Sequence, residues 1–460
     1  MSQNKRDSAS FRDPNGFLFW RDGELFRQIN HKYQENYDLL LKSGLYQDLV
    51  DNGLLIPHQE VDVNPFESEN AYRVIRPERA AFISYPYEWC FSQLKDAALT
   101  TLTIQKQALS FGMSLKDSSA YNIQFSSGKP ILIDTLSFEK YEEGKPWVAY
   151  RQFCQHFLAP LALMSYCDVR LGQLLRVNID GIPMDLTSKL LPFRTRFNIH
   201  MLTHIHLHAA AQKSYAGKKV DLDSPRQEVT KTGILGILSS LESIIGKLNW
   251  NPSGTAWADY DSTHNYSDTS INHKKQIVTA YLERVSPKTV WDLGANTGIF
   301  SRLASQHKIN TISFDIDPGA VELNYRRSVA DKEEYTVPLV LDLTNPSPNI
   351  GWHNQERRSL TRRGSADMIL ALALVHHLAI SNNVPLELVA SYLADLADCL
   401  VIEFIPKEDS QVQRLLISRE DIFMDYNQAK FEEVFSTYYK IEDSVNIEDS
   451  DRTLYLMKKK

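Results

Sequence analysis

The feature that most constrains the fold is a strict alternation of strand-like and helix-length segments from residue 288 onward. Apolar runs at Thr289 to Leu293, Thr311 to Asp315, Val337 to Leu341, Met368 to Leu374 and Leu400 to Phe404 are each followed by a stretch long enough for a helix. Strands separated by helices have the chain to cross back over a sheet, so this order calls for parallel pairing. Two further runs, Tyr439 to Ile447 and Arg452 to Met457, are joined only by EDSD. That link is too short for a parallel crossover, so these strands must form an antiparallel hairpin. The expected class is α/β, with seven strands and the hairpin at the end of the parallel sheet.

The chain has 460 residues, more than one hydrophobic core usually organises. Residues 1 to about 145 mix short β-like runs (Gly16 to Trp20, Tyr72 to Ile75, Ala81 to Tyr85), a helical pattern at Ser92 to Leu109 and a strand at Pro130 to Asp134. This predicts an α+β domain. Helical spacing at Phe153, Phe157, Leu161, Leu163 and Met164, interrupted by Pro160, extends it to residue 215. Tyr215 to Glu228 has a linker's composition, and the helix Ile234 to Leu248 follows. The expected division is 1–215, a connecting 216–250, and 251–460.

A formal charge of -7, from 50 Lys+Arg against 57 Asp+Glu, gives no general attraction to nucleic acid or anionic membranes. The cysteines, Cys90, Cys154, Cys167 and Cys399, are too far apart for a zinc cluster, and no metal is expected. The polar N-terminus and the lack of a run of ~20 apolar residues predict a cytoplasmic protein.

The chemistry is concentrated in VWDLGANTGIFSRLA. Asp292 ends the first strand of the alternating region, and Gly294 and Gly298 lie in the turn before the next helix, where backbone can approach a ligand. A dinucleotide fingerprint needs a glycine where Asn296 stands, so a pyrophosphate fits poorly. Asp315 ends the second strand, placed to accept ribose hydroxyls, and Asp342 ends the third, placed to accept from an adenine amino group. His376 and His377 follow the fourth strand at the edge where ligands bind, and one of them can serve as a base.

DLGANTG, the acidic strand ends and the terminal hairpin together resemble the Rossmann-like fold of class I S-adenosylmethionine-dependent methyltransferases, over roughly residues 250 to 460. The resemblance implies S-adenosylmethionine as cofactor. Gly294, Asn296 and Gly298 would lie against its methionine portion, Asp315 would hold the ribose, and Asp342 with Leu343 would frame the adenine. Trp257, Tyr260 and Tyr266 are candidates for a lid or for core, and Lys274 or Lys275 for a carboxylate partner or a solvated face. No Asn-Pro-Pro-Tyr signature follows the fourth strand, which favours an oxygen or carbon acceptor on a small molecule or glycan. ISYPYEWCFSQLKDAALTTL and LALVHHLAISNNVPL resemble a bacterial family described as methyltransferases, some labelled nodulation-related.

Asp117, Asn122 and Asp134 have the spacing of a protein-kinase-like catalytic loop and metal-binding aspartate, although Leu115 stands where histidine is expected and Thr135 and Leu136 replace Phe-Gly. Two readings stay open, a degenerate kinase-like domain or polar caps in an ordinary α+β domain. His200, His204 and His208 fall on one helix face, where packed or surface histidines are favoured over a metal site, and Arg357, Arg358, Arg362 and Arg363 in a polar insertion read as solvated surface rather than an anion site. The expected activity is methyl transfer. The alternatives are a non-catalytic cofactor-binding protein with a pseudo-kinase scaffold and an NAD-linked oxidoreductase.

Overall fold

The computed structural model describes residues 4–210, 228–252, 267–417 and 419–460. The linker candidate, apart from Glu228, and Trp257, Tyr260 and Tyr266 lie outside the described residues. The chain divides into two compact units, Met1–Asn251 with Ile350–Arg357, and Pro252–Asn349 with Arg358–Lys460. Among the described residues no helix is long and apolar enough to cross a membrane.

The first unit opens with strands β1 (Asn4–Arg6), β2 (Gly16–Arg21), β3 (Glu24–Asn30), β4 (His58–Glu60) and β5 (Ala71–Pro77). They form an antiparallel sheet in the order β1-β2-β3-β5-β4. Helix α1 (Phe91–Ser110) follows, burying Leu94, Ala98, Leu102 and Leu109 at helical spacing. Two small antiparallel pairs come next: β6 (Met113–Leu115) with β9 (Phe138–Lys140), and β7 (Ile123–Ser126) with β8 (Lys129–Leu132). The run Ala81 to Tyr85, expected as a strand, is irregular, and Gln124 meets its backbone needs by accepting from Ser84 N–H and donating to Ser84 O. Where Pro160 was expected to break a helix, a π-helical stretch, Cys154–Leu158, runs into a helix at Ala159–Tyr166 with the proline in its first turn. Helix α2 (Lys231–Lys247) packs along α1, its Glu242 paired with Lys106.

The hairpin Ile350–Arg357 is closed by an antiparallel bridge between its end residues. Its Glu356 is buried and paired with Arg12, and Arg357 lies 4.4 Å over the Tyr121 ring. The polar insertion is therefore not uniformly solvated surface: Arg362 is exposed, but Arg357 covers an aromatic ring.

The second unit begins with α3 (Asp268–Val285) and alternates β10 (Thr289–Leu293), α4 (Ile299–Gln306), β11 (Asn310–Asp315), α5 (Pro318–Ala330), β12 (Thr336–Val340), β13 (Ala366–Ala371), α6 (Leu386–Leu396) and β14 (Ala397–Phe404). Helix α7 (Gln428–Tyr438) precedes β15 (Tyr439–Asn446) and β16 (Thr453–Lys459). The sheet order is β12-β11-β10-β13-β14-β16-β15, parallel through β14, with β16 antiparallel to both neighbours. Parallel strands covered on both faces need near-continuous apolar runs, and Met368, Leu370, Val401 and Leu456 meet α3 residues Val278 and Leu282 in one core. The order reverses on either side of β10, which puts a crevice at the carboxyl ends of β10 and its neighbours.

Candidate functional site

Strand β10 delivers Asp292 to the carboxyl edge. The side chain is buried, and its Oδ2 accepts a 2.6 Å hydrogen bond from Ser301 Oγ in α4. Burial pushes this carboxyl up to about 6, with the Ser301 hydrogen bond and the Lys274 charge pulling the other way. The loop that follows is left-handed at Gly294 (φ +78°), Asn296 (φ +51°) and Gly298 (φ +82°). A Cβ at Gly298 would stand 2.4 Å from Asn324 Oδ1, so only glycine lets the loop close on α5. At Gly294 the backbone is exposed, and a Cβ would meet Leu374 at 3.3 Å. The N–H groups of Gly294 and Ala295 both donate to Phe314 O, tying the loop to β11.

Asp315, at the end of β11, is mostly buried, and burial pushes it too up to about 6. Its Oδ2 accepts from Asn296 N–H and its Oδ1 from Asp317 N–H, each at 2.8 Å. The loop and the acidic strand end are therefore one hydrogen-bonded unit. Next to it Ile316 is 57% exposed, an apolar surface at the rim. Asp342, beyond β12, lies at the matching rim position, where its Oδ1 accepts from both Thr344 N–H and Thr344 Oγ, the geometry of an Asx turn.

Strand β13 ends at Ala371, sooner than the apolar run implied, because Ala373 turns left-handed at φ +50°. His376 and His377 follow, with ring centroids 4.1 Å apart, and a π-helical stretch runs from His377 to Ser381. His376 is buried, and burial holds it well below the ordinary imidazole value, reinforced by the charges of His377, Arg452 and Lys274. His377 is partly exposed and also lowered by burial. His376 is the packed member of the pair and His377 the accessible one.

One feature carries no signal in the sequence. Arg302 of α4 is buried and donates to Thr297 O, to Asn324 O and Oδ1, and to Glu333 Oε1, bracing the loop from behind. A charged residue on an amphipathic helix gives no signal of this use. Lys274 is buried and donates to Glu403 Oε2 at 2.6 Å, so it takes the carboxylate partner rather than a solvated face.

In the first unit, Asp117, Asn122 and Asp134 do come together. Asn122 and Gln152 both hydrogen-bond the Asp117 carboxylate, which burial raises above its ordinary value, with the Asp134 charge acting in the same direction. Burial would raise Asp134 as well, but the Arg27 guanidinium 2.6 Å away, Ser137 Oγ and Leu136 N–H together hold it below the carboxylate norm. Asp134 caps the turn Thr135–Ser137. In the histidine run, His204 is engaged by Tyr150 OH and Ser240 Oγ, one at each ring nitrogen, and Ser240 also meets His200.

The second unit is thus a doubly wound α/β protein: a sheet parallel through β14 and closed by an antiparallel hairpin, with a glycine loop after its first strand and an acidic residue ending the next, the ligand-binding end of such a sheet. No protein-family model matches the chain. It is 37% identical over 456 residues to the nodulation protein NoeA of Rhizobium meliloti (strain 1021), covering 98% of this chain and 95% of that one. The chain belongs to the NoeA family. Among solved structures it is similar to the N-methyltransferase NodS of Bradyrhizobium japonicum WM9, at 11% identity and a TM-score of 0.32 over 42% of this chain and 98% of that one. It is also similar to magnesium protoporphyrin IX methyltransferase of Synechocystis PCC 6803, at 15% identity and a TM-score of 0.30 over 43% of this chain and 86% of that one.

Proposed function

We propose that the second unit binds S-adenosylmethionine and transfers its methyl group to an oxygen or carbon of a small molecule or glycan. The observation that carries this is Asp315: a mostly buried carboxylate bonded to the Asn296 N–H, beside the exposed backbone of Gly294. The donor and acceptor chemistry fits the cofactor. Asp315 would take the ribose hydroxyls, and Gly294, Asn296 and Gly298 would lie along the methionine portion. Asp342, Leu343 and the exposed Ile316 would frame the adenine.

When bound, the cofactor supplies an electrophilic methyl group, so the chain's task is to orient the acceptor and remove its proton. His377 is the better placed base, being partly exposed and neutral at pH 7, while buried His376 steadies its ring. In the first unit the Arg27–Asp134 ion pair favours a scaffold that selects the acceptor over an active phosphotransferase, because the guanidinium occupies the carboxylate a metal would need. Incubating the protein with methyl-labelled S-adenosylmethionine and cell extract tests the proposal. Label should appear in a small molecule or glycan, and Asp315→Ala should suppress it. Label that never leaves the cofactor would point to a binding protein without transfer.

A further inference from the structure

We infer that Glu403 is a positioning residue for the cofactor loop, acting through the backbone of Ala373. The inference rests on the S-adenosylmethionine reading and adds a residue that reading did not use.

Glu403 lies in β14 and is fully buried. A carboxylate withdrawn from water needs close partners, and its Oε2 accepts from Lys274 Nζ of α3 at 2.6 Å and from the Ala373 N–H at 2.8 Å. Its Oε1 stands 3.8 Å from Arg452 Nη1, and Arg452 is itself paired with Asp409 at 2.8 Å. The second partner matters most. Ala373 is left-handed at φ +50°, a conformation disfavoured by a Cβ and held only where the surroundings impose it. A charge-assisted hydrogen bond to its own N–H is such an imposition.

The turn at Ala373 has a local consequence for the loop. It aims Leu374 at Gly294, close enough that a Cβ on that glycine would stand 3.3 Å from Leu374 Cδ1. The same turn ends β13 and starts the segment carrying His376 and His377. From the other side, Lys274 Nζ lies 4.7 Å from the centroid of Phe300, in the helix that follows the glycine loop. Glu403 therefore connects both sides of the crevice: α4 and the end of β10 through Lys274, which meets Phe300 and acts on the Asp292 charge, and the β13 exit through Ala373. Its removal should let Ala373 relax toward right-handed backbone and withdraw Leu374 from Gly294, loosening the surface on which the methionine portion would lie.

Calorimetric titration of the full chain with S-adenosylmethionine tests this. Glu403→Ala should weaken binding at least tenfold, and adding Ala373→Gly should restore it to within about threefold of wild type, since glycine adopts the left-handed turn without the carboxylate. General destabilisation would not be repaired by that second change. Should Glu403→Ala not fold, Lys274→Met combined with Glu403→Gln, which keeps an acceptor for the Ala373 N–H, is compared with Lys274→Met combined with Glu403→Leu, which removes it. The first pair should bind near wild type and the second at least fivefold more weakly. Wild-type affinity in Glu403→Ala, no recovery with Ala373→Gly, or equal binding by the two charge-free pairs would overturn the positioning role while leaving the cofactor reading intact. Failure of the wild-type chain to bind would overturn the cofactor reading itself, and this inference with it.

Discussion

At the residue scale, the two acidic strand ends, Asp292 and Asp315, are both buried and share the same electrostatic history. Burial raises Asp292 and Asp315 from 3.8 to about 6, so folding favours their protonated forms. Their contribution to stability is fully present below pH 3.8 and is lost as pH rises to about 6, beyond which it is flat. Asp292→Asn should therefore gain stability relative to wild type across that window, as thermal denaturation would show. A ligand that donates hydroxyl hydrogens to Asp315 selects the ionised form. Cofactor affinity should then rise with pH through about 6 and level off, and most of that slope should vanish in Asp315→Asn. The glycines also separate. Gly298→Ala meets both a positive φ and the Asn324 side chain, and should cost more than ~1 kcal/mol, with a lowered melting temperature. Gly294→Ala meets only the positive φ and Leu374 at 3.3 Å, and should disturb ligand binding more than folding.

At the element scale, the second unit was the more legible because its signals are periodic. Apolar runs of strand length separated by helices fixed the parallel order, and EDSD left no alternative to a hairpin. Boundaries shifted where backbone conformation intervened: β13 stops at Ala371 because Ala373 turns left-handed, and nothing in ALALVHH announces that. The loop itself was readable, but its brace was not. Arg302 belongs to a helix whose pattern equally suits a surface cation, and only the fold brings Asn324, Thr297 and Glu333 to it. Arg302→Ala would leave the Thr297 carbonyl without this buried donor and should cost ~1–3 kcal/mol by chemical denaturation. In the first unit, Ala81 to Tyr85 was misread because an apolar run beside prolines says nothing about which backbone will pair with it, and here a glutamine side chain does. Asp117, Asn122 and Asp134 lie near one another, as their spacing suggests, but Arg27, remote in sequence, pairs with Asp134. Asp134→Asn should lower the stability of the full chain through the weakened ion pair.

At the scale of the whole molecule, the chain is not two consecutive units. Eight residues, Ile350–Arg357, lie in sequence within the second unit but pack with the first, where Arg12 neutralises Glu356 and Arg357 covers Tyr121. A polar insertion before a strand carries no mark of where it docks, so composition alone suggested open surface. Cutting the chain near residue 252 would strip this hairpin of its partners. Because Ile350 and Arg357 are bridged to one another, a short Gly-Ser turn can replace the hairpin without stretching the flanking chain. A fragment 252–460 carrying that replacement is predicted to be better folded, by circular dichroism and melting temperature, than the same fragment with the hairpin retained.

The central claim is that the second unit holds S-adenosylmethionine through Asp315 and the loop it braces. Titrating the 460-residue chain with S-adenosylmethionine in a calorimeter at pH above 7, beside Asp315→Ala, measures it directly. Saturable binding by the wild-type chain, weakened about tenfold or more in the variant through loss of charge-assisted hydrogen bonds, is the predicted result. No binding at millimolar cofactor, or equal affinity in Asp315→Ala, would contradict it.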